Sequence, residues 1–150
     1  RDLVRSRGLG DVYKRQSHIS AILDGQLSEN IKQKSHLIII ATPENSMISE
    51  LNKIHKKLGF YAYLEPGKIL ALDTAANILK EYGSGSGLIQ ATQNPWNPKG
   101  IGAGENVAWM VTGADVNGVK NAATALVNNQ DELRYAFAAV VSEGRIVKIP

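Results

Sequence analysis

Residues 35–59 read SHLIIIATPENSMISELNKIHKKLG, and this stretch decides the fold class. Leu37 to Ala41 is a short, unbroken apolar run rich in isoleucine, the pattern of a strand buried on both faces. Thr42-Pro43-Glu44 then has the order of a helix start. The hydroxyl falls at the N-cap, the proline in the first turn and the carboxylate at the positive end of the helix dipole. Met47, Ile48, Leu51, Ile54 and Leu58 recur at helical spacing, and Gly59 supplies the stop. The stretch predicts a strand, a tight turn and a helix over 43–58, half of a βαβ unit. Thr42, Pro43 and Asn45 are expected to be structural, as loop and cap residues.

Residues 105–129, ENVAWMVTGADVNGVKNAATALVNN, repeat the logic. Val107 to Thr112 reads as a buried strand, Gly113 as the turn and Asp115 as the helix cap. Val116, Val119, Ala123, Leu126 and Val127 form the expected apolar stripe. Two strand–turn–helix units point to an α/β layered fold. Between them, Lys68 to Leu72 reads as a strand or extended segment, Thr74 to Lys80 as a short helix and Leu88 to Thr92 as a strand. The loop 93–104 has no helical pattern, and a parallel crossover needs a dozen or more residues, usually helical. Strand 88–92 is therefore expected to run antiparallel to strand 106–112. Asp131 to Arg134 reads as one further helical turn, and FAAVVSEGRIVKIP as two strands around Ser142-Glu143-Gly144. Ser17 to Ile31 reads as a helix, with Ile19, Ile22, Leu23 and Leu27 on its apolar face.

The 150 residues carry a net charge of +3, which by itself invites a nucleic-acid reading. The excess lies entirely in residues 1–16, RDLVRSRGLGDVYKRQ, with five basic and two acidic side chains; the remaining residues carry 12 of each. No basic stripe is left to track phosphates. The opening segment resembles a translated sequencing-adapter tag and is set apart from fold reasoning as a disordered, non-native piece. Residues 17–150 then form a single α/β domain. A doubly wound fold places a strand before its first helix, where the tag stands here, so the first strand is expected to be missing. There is no cysteine, hence neither disulfide nor thiolate metal site. No run of about 18 apolar residues suited to spanning a bilayer occurs.

Few stretches carry chemistry. GSGSG (83–87) reads as following a helix and preceding a strand, the reverse of a dinucleotide-binding loop, and so as a flexible turn. IGAGE (101–105) receives the same reading. ATPEN (41–45) stands at a helix N-terminus, where an anion can bind, but Pro43 removes one N–H and Glu44 brings its own negative charge. His18, His36 and His55 have no metal-ligand spacing. Asp73, Glu81 and Asp115 can reach strand ends, but no spacing pairs them for acid–base work. Neither a catalytic residue nor a cofactor or metal is expected.

TQNPWNPK (92–99) is the exception. Each proline fixes its own φ and pushes the preceding residue out of the helical region. Asn94 and Asn97 are thereby held in turns, with Pro95 and Pro98 stiffening the loop that presents Trp96. Two readings stay open. The indole caps the sheet while both asparagines bond loop backbone through Asx turns, or Asn94, Trp96 and Asn97 form a carbohydrate platform with amide donors alongside.

LIIIATPENSMISELN, GLIQATQNPWNP and VAWMVTGADVNGVKNAATAL together resemble the flavodoxin-like domains of the regulatory-subunit family of bacterial cellulose synthase. The tail LRYAFAAVVSEGRIVKIP fits its closing strands, and the resemblance covers roughly residues 35–150. Gln93-Asn94 replaces the family's Ser before Pro, and KGIGAGEN lengthens the following loop. The resemblance implies a flavodoxin-like sheet with mixed strand directions. It further implies a non-catalytic, extracytoplasmic domain of a membrane-anchored protein, paired with a membrane-embedded polysaccharide synthase and guiding a glucan outward. Surface-layer proteins and helper domains of glycoside hydrolases carry related α/β modules, and they set the alternative readings.

Overall fold

The computed structural model describes residues 20–150; the 1–16 tag and the first residues of the expected helix 17–31 lie outside them. The fold is mixed α/β, with one parallel strand pair and the rest antiparallel. Five strands form one sheet: β1 (Leu37–Ile40), β5 (Gly87–Gln93), β6 (Val107–Gly113), β7 (Ala138–Ser142) and β8 (Arg145–Ile149), in the order β1-β6-β5-β7-β8. A second sheet has three strands, β2 (Ala62–Glu65), β3 (Lys68–Leu72) and β4 (Ile78–Tyr82), in chain order. β5 and β6 are antiparallel, as their short connection requires, and β1 is the parallel neighbour of β6. By contact density the chain divides into two units: the chain up to Ile38 with Thr92–Trp109, and Ile39–Ala91 with Met110–Pro150.

In the first unit, the helix expected over 17–31 is replaced. A 3-10 turn spans Asp24–Gln26, and α1 (Glu29–Lys34) begins only after Ser28, whose Oγ accepts the Ile31 N–H at 3.2 Å. Leu23 and Leu27 are extended, and Leu23 is exposed. Apolar spacing in this stretch is overruled by Ser28, which caps a later helix more effectively than it propagates an earlier one.

The second unit holds the main core: Ile48, Leu51, Ile69, Leu70, Leu88, Met110, Val111 and Val140 are fully buried. Its first helix, α2 (Ser46–Lys53), starts three residues later than Thr42 suggests. The Asn45 N–H donates to the Thr42 carbonyl, closing a turn with Pro43 at its corner. Asn45 Oδ1 then accepts the Met47 and Ile48 N–H groups at 2.9 and 3.3 Å. The cap is Asn45, and Thr42, Pro43 and Glu44 precede the helix rather than open it. At Ile54 the helix breaks, a short α3 (His55–Leu58) follows, and Gly59 ends it at φ 70°. β1 also departs from the expectation of burial on both faces: Leu37 and Ile39 are buried but Ile40 is exposed, as suits a strand at the sheet edge.

In the three-stranded meander, β3 stands where the sequence reads a strand or extended segment, while β2 and β4 were hidden. Pro66 and Gly67 (φ 73°) turn β2 into β3 with Glu65 opposite Lys68. The helix expected over 74–80 is instead a loop and β4. Asp73 Oδ1 accepts the Ala75 and Asn77 N–H groups at 2.8 and 2.9 Å, and the Asp73 N–H donates back to the Asn77 carbonyl at 2.9 Å. Ala76 takes a left-handed φ of 66°, which closes a loop instead of continuing as a helix. Asn52 of α2 bonds both backbone groups of Leu64, at 2.7 and 2.9 Å, and so pins the helix to the outer edge of β2. Gln90 of β5 donates to the Ala62 carbonyl at 2.8 Å.

α4 (Val116–Asn128) is capped by Asp115, whose Oδ1 accepts the Gly118 N–H at 2.8 Å. Its buried face is Gly118, Ala122 and Ala125, while Val116 and Val127 point to solvent. The expected valine stripe is misphased because the helix lies too close to the strands for branched side chains. A Cβ on Gly113 would stand 2.5 Å from the Gly118 carbonyl carbon, and one on Gly87 2.5 Å from the Gly118 oxygen. α5 (Gln130–Leu133) and the β7–β8 hairpin, with Glu143 and Gly144 at φ 52° and 74°, complete the chain as expected.

Candidate functional site: the Trp96 loop

Asn94 organises this loop. It is 1 % exposed, and its backbone N–H donates to the Asn106 carbonyl at 2.7 Å. Its Nδ2 donates to the Lys32 and Ser35 carbonyls at 2.8 and 3.0 Å, and its Oδ1 accepts the Trp96 N–H at 2.8 Å. Both halves of the amide are engaged, satisfying two carbonyls at the end of α1 that the helix itself leaves without partners. Asn97 repeats the device one step on. Its Oδ1 accepts the Lys99 N–H at 2.9 Å, and its own N–H donates to the Asn94 carbonyl at 3.3 Å. These are two consecutive Asx-Pro turns. Lys99 and Glu105 close the far side with an ion pair at 2.8 Å, and the Gly104 N–H donates to Gln93 Oε1 at 3.3 Å.

Trp96 itself is half-buried. Lys32 Nζ stands 4.7 Å from the centre of its ring, a cation–π contact, while the same ammonium is 3.8 Å from Glu29. The amides of Asn94 and Asn97 are buried and tied to the chain, so the surface this loop offers is the indole and the Lys32 ammonium. Pro95 is half-buried and Pro98 exposed. Lys32 is the partner that sequence reasoning missed, because 64 residues separate it from Trp96 and no local pattern marks the pair. His36 was also out of reach: its Nδ1 accepts the Val107 N–H at 3.0 Å.

The other candidates have structural partners. Asn45 caps α2, Thr42 and Pro43 form the turn that precedes it, and Gly113 makes room for α4. His55 stacks on Tyr63 at 4.2 Å with Nδ1 2.8 Å from the Asn52 carbonyl. Backbone N–H groups of Asn77 and Ala75 hold Asp73 below its usual carboxylate range. Asp115 is lowered by the Gly118 and Gly85 N–H groups and by the Ser84 hydroxyl. Glu81 bonds Lys68 at 3.3 Å and raises the Lys68 pKa. GSGSG follows a strand, not a helix, and it is tied down: the Gly85 N–H and Ser84 Oγ both donate to Asp115 Oδ2 at 3.0 Å. The Asp115 carboxylate therefore occupies the N-terminus of α4, where an external anion would otherwise sit.

Among the described residues no three His, Asp or Glu side chains converge as metal ligands, and no helix is long and apolar enough to cross a membrane. Comparison with protein-family models, with curated proteins and with solved structures finds no match.

Proposed function

We propose that this chain is a non-catalytic scaffold domain that guides a polysaccharide, as the resemblance to cellulose synthase regulatory subunits implies. In this reading it works on the extracytoplasmic face of the membrane beside a membrane-embedded synthase, with glucan as its passing ligand and no cofactor. The observation that carries it is Trp96: a half-exposed indole on a loop locked by two prolines and two Asx turns, rigid before any ligand arrives. Preorganisation of this kind lowers the ordering cost of binding, and an aromatic face is a good surface for the C–H face of a sugar ring. Weak, sequence-independent contact is what a guiding surface needs, since the polymer must move on.

Titration with cello-oligosaccharides, followed by fluorescence in a Trp109→Phe background, tests the proposal. Saturable weak binding that Trp96→Ala abolishes and Trp96→Phe retains is the expected result. Binding that is absent, or indifferent to Trp96, overturns the guiding role.

A self-tiling, surface-layer type of domain is the second reading, and β4 favours it. This strand edges its sheet, and Ile78 and Leu79 are exposed on it, a combination that promotes strand pairing between copies. Concentration-dependent assembly suppressed by Leu79→Lys would favour tiling over guiding.

A further inference from the structure

The Gly-Ser turn, which the guiding role does not use, forms one wall of a cavity of about 570 Å³ in the second unit. The opposite walls are α4 with the start of α5, and the β7–β8 turn. Hydroxyls and amides dominate the lining, through Ser84, Ser86, Asn121, Thr124, Asn129 and Ser142. Among the described residues, Glu132 and Glu143 are the only charged side chains in it, and no aromatic ring takes part. Ala125, Val141 and Ile146 supply the apolar surface.

Ser86 is only 3 % exposed and forms part of the inner lining. Two further features of the cavity walls bear on binding. The walls are fixed: Asn121 Nδ2 donates to the Gly85 carbonyl at 2.9 Å and Asn129 Nδ2 to Glu132 Oε1 at 2.8 Å. Glu143, which also lines the cavity, holds a left-handed φ of 52°, a conformation in which asparagine is much more at ease, so glutamate stands there at some backbone cost.

We propose that this cavity binds a small polyhydroxylated amine, of the amino-sugar type. Its hydroxyls would pair with the serine, threonine and asparagine side chains, and its ammonium with the two carboxylates. The charge pattern sets the class: negative charge without a balancing cation repels phosphates and acids. A neutral sugar could use the hydroxyls, but it would leave both carboxylates unmatched by any ligand charge. The site is separate from Trp96 and does not depend on the glucan-guiding reading.

Glucosamine, N-acetylglucosamine and glucose, titrated against 15N-labelled protein, test it. Saturable shifts confined to residues 83–86, 121–132 and 141–146 are expected with glucosamine. Its affinity should be at least tenfold above that of the two neutral sugars, and Trp96→Ala should leave it unchanged. Glu143→Asn is the decisive variant, because asparagine suits the left-handed turn. It should fold at least as well as the parent and yet lose about tenfold in glucosamine affinity; Glu132→Gln should lose a similar amount. Equal affinity for the three sugars, shifts elsewhere, no saturable shift, or unaltered binding by a folded Glu143→Asn protein would each overturn the proposal.

Discussion

Gly118 of α4 lies against the Ser86 carbonyl so closely that no side chain fits between them. The same carbonyl accepts the Ala114 N–H at 2.9 Å, so a shift of the carbonyl would strain that bond. Gly87 and Gly113 complete the contact, and three glycines thereby set the distance between helix and sheet.

Alanine at position 118 should therefore destabilise, although alanine is the better helix former by about 1 kcal/mol. Overpacking costs about 1–3 kcal/mol and at times more. The Gly118→Ala protein should accordingly lose roughly 2 kcal/mol or more in urea denaturation. Gly25→Ala, with open space around the new methyl, should stay within about 0.5 kcal/mol of the parent. Equal behaviour of the two variants would mean that the helix can step back from the sheet at little cost.

Asp115 should make the protein acid-sensitive. Its folded pKa is depressed below the ordinary aspartate value of 3.8, first by the Gly118 N–H, then by the Gly85 N–H and the Ser84 hydroxyl. A depressed carboxylate contributes stability that is fully present above its unfolded pKa and fades as pH falls through the folded value. Melting temperature should thus drop below about pH 4. Asp115→Asn should start lower at neutral pH and show a shallower acid limb. Parallel curves for the two proteins would remove Asp115 from the account.

Asn94 should be a stability residue. Asn94→Ala leaves the Lys32 and Ser35 carbonyls and the Trp96 N–H without their partner, and an unsatisfied buried polar group costs about 1–3 kcal/mol. Water can reach part of the opened site, so a loss of roughly 2–3 kcal/mol is expected by denaturation. Asn94→Asp should be worse, since it sets an acceptor against two carbonyls. A variant as stable as the parent would show that the two prolines alone hold the loop.

The cation over the indole should be visible in the fluorescence of Trp96. In a Trp109→Phe background, Lys32→Met keeps the apolar stem and removes the ammonium. The expected stability loss is about 0.5–1 kcal/mol, typical of a partly exposed cation–π pair. The emission should shift, and cationic quenchers should gain access. Spectra identical to those of the parent would mean that Lys32 does not rest on the ring in solution.

Several parts of this molecule were legible because their causes are local. The apolar run at 37–41, the helical spacing of Met47, Ile48 and Leu51, and the Gly59 stop each lie within one or two turns of chain. So do the Asp115 cap and the hairpin at Glu143-Gly144. Where two local signals compete, sequence reading chose wrongly. Thr42 and Asn45 both suit an N-cap, and the winner is the one whose oxygen reaches two free N–H groups. Asp73 and the residues after it suit a helix start as well as an Asx turn, and pairing of β4 with β3 tips the balance to the strand. The valines of α4 looked like a core face until the glycine contact claimed the other side of the helix.

The sequence alone determined an α/β fold with mixed strand directions, because strand and helix periodicities and turn residues act over a few positions. It also determined that the Trp96 loop is stiff, since proline acts on its own φ and on its neighbour. Tertiary structure decided what that loop presents. Lys32 arrives over the indole from another part of the chain, and Asn94 turns inward to two carbonyls 59 and 62 residues away. It likewise decided that Gly83–Ser86 is a tied wall rather than a loose turn, because Asp115 reaches it from 30 residues further on. Contacts of that range depend on how the strands are ordered, and strand order is set by the packing of the whole core.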